Sequence, residues 1–461
     1  MGQLQRKIYF LGIGGIGMSA LARYFMHEGC AVAGYDRTAT PLTAQLEAEG
    51  AIVSYEDSVD SVPQQFLESD TIVVYTPAVP ADSCLMSHFR NGNYRMLKRS
   101  QMLGELSVGK MVMAVAGTHG KTTTSTLVSW LNYAAAGEGS AFLGGVSKNF
   151  NSNLVLGQGR RLAVEADEFD RSFLQLTPDV AVITSADADH LDIYGTHEAV
   201  KEAFAQFVDR ILPNGALILK KGVDVEVRNS QIATYSYSYD ELSDFYATNI
   251  ELLPTGHYRF DIVTPFGTIE GCTLGIPGWV NVENAVAATA LFIVATRAEG
   301  KSVDYDALRA ALASFTGVKR RFEFYVNTPK AVYMDDYAHH PRELSAAITS
   351  VKGMFPDRKL TAVFQPHLYT RTRDLYVEFA SALSLADEVV LLPIYPAREL
   401  PIEGVESQMI AQLVTAPCRI VEREVIAEAL AGMDTDVVVS FGAGNIDMYC
   451  QAIADVVAAK A

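Results

Sequence analysis

Short apolar runs rich in β-branched residues alternate with helical patterns from one end of the chain to the other, and this alternation predicts an α/β fold of parallel sheets wrapped by helices. Two further observations support it. Nearly every run is followed by a turn and a helix candidate, and two of the turns are rich in glycine where strand passes to helix. At 461 residues the chain also exceeds the roughly 250–300 at which one hydrophobic core stops growing, so several such domains are expected.

Taken in order, the run at 7–11 passes through Gly12-Ile13-Gly14-Gly15-Ile16-Gly17 into a helical stretch over 18–28, and a second strand over 32–36 ends on Asp36. Later strands are predicted at 71–75, 111–116, 161–165, 180–184, 331–334, 360–364, 388–392 and 436–440, short apolar runs of the kind a parallel sheet buries on both faces. Around 235–271 the pattern changes. Tyr258, Phe260 and Ile262 precede Pro265-Phe266-Gly267, and a second short run follows, which predicts a local antiparallel excursion. New strand-glycine-helix units restart after Ser107-Val108-Gly109-Lys110 and at Gly317-Val318-Lys319-Arg320-Arg321, dividing the chain into 1–108, 109–318 and 319–461.

Hydrophobic residues make up 49% of the chain and charged residues 20%, enough for substantial cores. The formal net charge of -17, with no lysine or arginine run, argues against nucleic acid and anionic membranes as partners. Anionic ligands must then be held locally, by helix N-termini and single basic side chains. Cys30, Cys84, Cys272, Cys418 and Cys450 are widely spaced with no C-x-x-C pair, which suggests neither a zinc ribbon nor a disulfide framework. The first apolar stretch is too short for a signal peptide and no later run approaches about 18 apolar residues, so a cytoplasmic protein, monomer or homodimer, is expected.

The first glycine loop matches G-x-G-x-x-G between a strand and a helix, the setting in which backbone amides at a positive helix end grip a diphosphate. It suits a dinucleotide, with Asp36 on a ribose, and equally a nucleotide sugar. A second loop argues against a simple dehydrogenase. The strand over 111–116 leads into Gly117-Thr118-His119-Gly120-Lys121-Thr122-Thr123-Thr124 and then a helix. This is a P-loop, in which amides cradle the phosphates of ATP, Lys121 neutralises the transferring phosphoryl group and the Thr122 hydroxyl is placed to ligate Mg2+. It departs from the commoner pattern, because Val115 stands where a glycine is usual.

The run G-T-H-G-K-T-T-T behind a complete glycine-loop domain resembles the Mur ligases and their folylpolyglutamate synthetase relatives, and the resemblance covers essentially the whole chain. It implies three domains: a Rossmann-like one for a UDP substrate, a central P-loop one for ATP, and a C-terminal Rossmann-like one for an amino acid. ATP would drive amide-bond formation through an acyl phosphate. Gly14, Gly15, Ile16 and Gly17 would hold the UDP diphosphate, with Asp36 near the ribose or uracil and Thr76 lining the pocket. Lys98 and Arg99 rank lower, since basic residues ahead of a helix are usually solvated. Gly117, Thr118, His119, Gly120, Lys121, Thr122 and Thr123 would form the ATP loop.

By the same similarity Glu168, with Glu165 as alternate, and His190 in Ala188-Asp189-His190-Leu191-Asp192 join Thr122 as ligands of two magnesium ions, for which Mn2+ would substitute. Pro277-Gly278-Trp279-Val280-Asn281-Val282-Glu283-Asn284-Ala285 resembles the segment whose asparagines, here Asn281 and Asn284, recognise adenine, with Val280 replacing the usual histidine. Helix capping is the alternative role for Asn281. Arg321 would reach the ATP phosphates, while Arg320 suits an internal salt bridge equally well.

Asp335-Asp336-Tyr337-Ala338-His339-His340-Pro341 and Phe364-Gln365-Pro366-His367-Leu368-Tyr369-Thr370-Arg371-Thr372 both follow strands and so lie at their carboxyl ends, where open α/β sheets place ligands. Their similarity to motifs within the family narrows the implied reaction to joining L-alanine to the lactoyl carboxylate of UDP-N-acetylmuramate, with recycling of a murein tripeptide as the alternative. Asp336 and His339 would contact the nucleotide ribose or order the site; Tyr337, His339 and His367 would border the small amino acid; Arg371 would hold a carboxylate with its planar fork. Leu368 stands where arginine is usual, so part of that grip is expected to differ. The expected catalytic set is Lys121, Glu168, His190, His339, His367 and Arg371, and three ligands on three domains predict closure of the C-terminal domain.

Overall fold

The strand Lys7–Leu11 is buried along its whole length and pairs in parallel with Ala31–Tyr35 on one side and Ile72–Tyr75 on the other, as apolar runs do when helices cover both faces of a sheet. The computed structural model describes residues 6–188, 191–253, 255–397 and 399–460, without the side chains of Leu191 and Asp192. The first sheet comprises β1 (Lys7–Leu11), β2 (Ala31–Tyr35), β3 (Ile52–Ser54), β4 (Ile72–Tyr75) and β5 (Arg95–Lys98), ordered β3-β2-β1-β4-β5. Order reverses at β1, so the glycine loop after it opens at the switch point where such sheets bind ligands.

The second sheet holds β6 (Met111–Ala116), β7 (Ser140–Ser147), β8 (Ser152–Val155), β9 (Arg161–Ala166), β10 (Val180–Ile183), β11 (Ala216–Lys220), β12 (Ala233–Ser238), β13 (Phe245–Leu252), β14 (Tyr258–Thr264) and β15 (Gly267–Thr273). Its order is β15-β14-β13-β12-β11-β10-β6-β9-β7-β8. All six residues of β6 are buried, and its neighbours β9 and β10 run parallel to it, so the loop that leaves β6 emerges beside the carboxyl ends of both. The excursion expected near 235–271 is the pair β14 and β15, adjacent in the sheet and joined by Pro265-Phe266.

The third sheet holds β16 (Glu323–Asn327), β17 (Val332–Asp336), β18 (Leu360–Phe364), β19 (Glu388–Leu391), β20 (Cys418–Ile420) and β21 (Val437–Phe441), ordered β16-β17-β21-β18-β19-β20. Only its edge strand β16 is antiparallel. This is the α/β architecture the alternating pattern predicts.

The chain packs as two compact units, one of Met1–Thr248, Asp261–Glu270 and Asn284–Phe315, the other of Asn249–Phe260, Gly271–Glu283 and Thr316–Ala461. In the first unit a single apolar core runs from Phe10, Met18 and Leu21 to Phe142, Leu154 and Phe204, which joins the first two sheets through the helix Ile16–His27. A polar clamp reinforces that joint: Arg23 donates to Asn153, whose amide donates to the Ile16 carbonyl and to Ser19.

The helix Trp279–Ala298 has 20 residues and, by length and composition alone, is apolar enough to cross a membrane, although Asn281, Glu283 and Asn284 interrupt its apolar residues. Alanines dilute its hydropathy so that it does not read as a solid apolar block, and 78% of its most apolar window is buried inside the protein. It is a core helix. The five cysteines are thiols, buried at Cys272 and Cys450 and exposed at Cys84.

Candidate active site

The glycine loop after β1 is shaped by close approach. Gly12, at φ +87, and Ile13 donate their N–H groups to the Tyr35 carbonyl, and a Cβ on Gly12 would lie 2.6 Å from Thr76. Gly14 donates to Asp36 Oδ2 at 2.8 Å, and the other Asp36 oxygen accepts from the Thr38 N–H. Asp36 therefore holds the loop itself. Gly15, Ile16, Gly17 and Thr76 line a pocket of about 250 Å³ that also meets Glu165 and Asp167 from the second sheet. Lys98 and Arg99, ranked low on sequence, line it too.

The second loop is braced by the end of β10. Gly117, at φ +137, passes so close that a Cβ would sit 2.1 Å from Thr184 Oγ1. Thr184 donates to the carbonyls of Ala116 and His119, Ser185 Oγ accepts from the His119 N–H and the Thr118 hydroxyl, and His119 Nε2 faces Asp187 at 3.3 Å. Gly120 is left-handed at φ +77 and caps the helix Lys121–Ala136, while Asn284 accepts from the Thr124 hydroxyl and lies 2.8 Å from where a Gly120 Cβ would be. Val115 is explained by register. It sits inside β6, paired with Glu165 and Val182, so the loop starts at Gly117 and needs no glycine earlier.

Lys121 Nζ lies 2.9 and 2.8 Å from the two oxygens of Glu168, whose residue is 1% exposed. Burial acts to lower the Lys121 pKa, but the charges of Glu168, Asp167 and Glu165 outweigh it and keep the ammonium protonated above its ordinary range. Burial pushes the Glu168 carboxyl up to about 7, against the pull of Lys121. Three carboxylates around one lysine leave a net negative corner beside Thr122, and that charge fits a divalent cation. Among the described residues no ready-made cluster of three metal-ligating side chains occurs, and the expected ligand His190 lies outside the described residues.

In the other unit, β17 ends on two buried acids with separate tasks. Asp335 accepts from Arg320 Nε at 3.0 Å and from Ser440 at 2.6 Å, and Arg320 also donates to the carbonyls of Gly442 and Gly444. Arg320 is thus an internal anchor. Arg321 stacks on Tyr337, 4.9 Å from guanidinium carbon to ring centre. Asp336 accepts from the N–H groups of Phe322 and Ala338, both at 2.9 Å, and burial raises its carboxyl to about 6. Asn281 donates to the Pro277 carbonyl at 2.6 Å from within the first turn of its helix, a local tie distinct from an N-cap.

The structure brings Tyr337, His339 and His367 together: the first two rings are 5.5 Å apart and the imidazoles 6.2 Å. Tyr395, which sequence reasoning missed, stacks on His367 at 5.8 Å and 23° and exchanges backbone bonds with Pro366 and Leu368. Arg371 sits half-buried in the first turn of the helix Tyr369–Leu383, and Glu399 accepts from the Thr370 N–H and hydroxyl at that helix start. Leu368, the departure from the usual arginine, caps this helix at φ 71, a conformation side chains rarely adopt.

A P-loop whose lysine meets a buried carboxylate, behind a second phosphate loop, defines a nucleotide-dependent phosphoryl-activating enzyme. Three family models match in succession: the Mur ligase family catalytic domain over 7–110, the Mur ligase middle domain over 115–292 and the Mur ligase glutamate ligase domain over 320–444. The chain belongs to the Mur ligase family. It is 47% identical over 453 residues to the UDP-N-acetylmuramate--L-alanine ligase of Parabacteroides distasonis, covering 97% of this chain and 96% of that one. The corresponding protein of Porphyromonas gingivalis is also 47% identical, over 96% of this chain and 97% of its own. Among solved structures, the UDP-N-acetylmuramate-alanine ligase of Thermotoga maritima superposes with a TM-score of 0.81 at 26% identity, covering 97% and 98% of the two chains. A murein peptide ligase of Psychrobacter arcticus shares the fold, with a TM-score of 0.71 at 23% identity over 98% of each chain.

Proposed function

We propose that this chain joins L-alanine to the lactoyl carboxylate of UDP-N-acetylmuramate in the cytoplasm, converting ATP to ADP and phosphate. The observation that carries the reading is the Lys121–Glu168 corner next to a glycine-loop pocket, in a chain 47% identical to L-alanine ligases over nearly its full length. The amides of the 117–122 loop receive the ATP phosphates, and Lys121 turns from Glu168 to the γ-phosphate as the lactoyl carboxylate attacks it. Thr122 with Glu168 or Glu165, and His190, would hold magnesium; Mg2+, or Mn2+ in its place, supplies charge neutralisation on the phosphates when bound. The resulting acyl phosphate is attacked by the neutral amine of L-alanine, and phosphate leaves. Arg371 grips the alanine carboxylate while Tyr337, His339 and His367 confine its small side chain.

The test is phosphate release with MgATP, UDP-N-acetylmuramate and, in turn, L-alanine, glycine, L-serine and the tripeptide L-Ala-γ-D-Glu-meso-diaminopimelate, with product masses checked. Release that requires the muramate nucleotide and is fastest with L-alanine supports the reading. Release with the tripeptide alone would replace it with a recycling ligase.

A further inference from the structure

Lys98 ends β5 and Arg99 opens the helix Arg99–Ser107, so two cations stand where a helix already offers positive partial charge. Arg99 also lies against the other helix start at the pocket. A Cβ on Gly17 would sit 2.7 Å from its Nη1, so the last glycine of the loop is needed to admit the guanidinium over the N-terminus of Ile16–His27. That helix has no side-chain cap and no acid in its first turn. A guanidinium packed on uncapped amides is unfavourable unless an anion lies between them.

Two carboxylates that follow the end of β9 pair with these cations instead. Asp167 Oδ2 meets Arg99 Nη2 at 3.3 Å and Asp170 Oδ2 meets Lys98 Nζ at 2.8 Å. Their presentation is fixed by the turn they belong to. Asp167 Oδ1 accepts the Phe169 N–H, which aims Oδ2 at the pocket, and Asp170 and Arg171 are both left-handed at φ 51 and 54, a conformation costly for arginine. All four side chains are between 24% and 39% exposed, a setting in which ion pairs are weak and exchange readily.

We infer that Arg99 and Lys98 are diphosphate-binding side chains whose charges Asp167 and Asp170 neutralise until the substrate's phosphates replace them. The inference rests on the nucleotide-sugar reading of this pocket. Arg99 has the planar fork that two phosphate oxygens fit, and the helix amides beside it complete the grip. The two aspartates then act as internal competitors, so removing them should tighten binding.

The experiment is calorimetric titration of the full chain, without ATP or divalent metal, by UDP-N-acetylmuramate, UDP and uridine. R99M should weaken both diphosphates about tenfold or more and leave uridine within about twofold. D167N should tighten both diphosphates by about two- to fivefold, and D170N by a similar or smaller factor. In the double variant R99M/D167N the tightening should vanish, because the competitor has nothing left to mask. Equal weakening of uridine and UDP by R99M would overturn the diphosphate role, and so would no change at all. If D167N weakens binding, or tightens it equally without Arg99, the exchange is overturned. A wild-type chain that binds none of the three ligands would instead overturn the nucleotide reading of the pocket itself.

Discussion

The two units hold their candidate ligand-site side chains on opposite principles. In the first unit the cationic side chains are tied in ion pairs, Lys121 to Glu168 and Arg99 to Asp167, whose partners are exchangeable. In the second unit Asp336 is held by two backbone amides, and Tyr337, His339, His367 and Tyr395 by ring contacts that no incoming anion would displace. An ion pair can exchange its partner for an incoming anion, whereas a pocket shaped by packing is preorganised before anything binds.

The largest test of this contrast is K121M. It removes the cation paired with buried Glu168, so turnover should fall by about 10³-fold or more and stability by about 3–5 kcal/mol in urea unfolding. Adding E168Q should restore most of the stability and none of the activity. If stability stays low in the double variant, the pair is not the exchangeable unit described. Next is the arginine pair of the second unit. R320M strands the fully buried Asp335 and should cost about 3 kcal/mol, while R321M should leave stability within about 0.5 kcal/mol and lower turnover about 10²-fold. Equal effects from both would erase the division of labour.

A third test is pH. The Asp336 carboxyl is raised by burial from 3.8 to about 6, so its contribution is fully present below about pH 4 and is lost as pH rises through about 6, on the order of 2–3 kcal/mol. The stability gap between wild type and D336N should therefore shrink from pH 4.5 to 7.5; a gap that widens would refute the assignment. The smallest effect is expected from L368G. Relief of the left-handed strain, partly offset by glycine's greater unfolded entropy, should raise stability by ~1 kcal/mol.

Much of this was legible in the sequence because it is local. The strands at Lys7–Leu11, Met111–Ala116 and Leu360–Phe364 coincide with their apolar runs residue for residue, and both phosphate loops lie where strand-glycine-helix order puts them. What stayed hidden comes from distant chain. Thr184 and Ser185 brace the P-loop only because β10 lies beside β6, Tyr395 reaches His367 only through sheet order, and Arg99 gains its meaning from Asp167, 68 positions away. Val115 shows the converse: a departure from a pattern became harmless once register placed it inside a strand.

The helix Trp279–Ala298 has a consequence for how the chain is made. Its stretch from Asn284 onward belongs to a unit most of which precedes it in sequence, so a growing polypeptide delivers this apolar segment to a surface already synthesised. A circular permutation that placed the helix near the start would release it ahead of its packing partners, and membrane insertion and aggregation would then compete with folding for the same 20 residues.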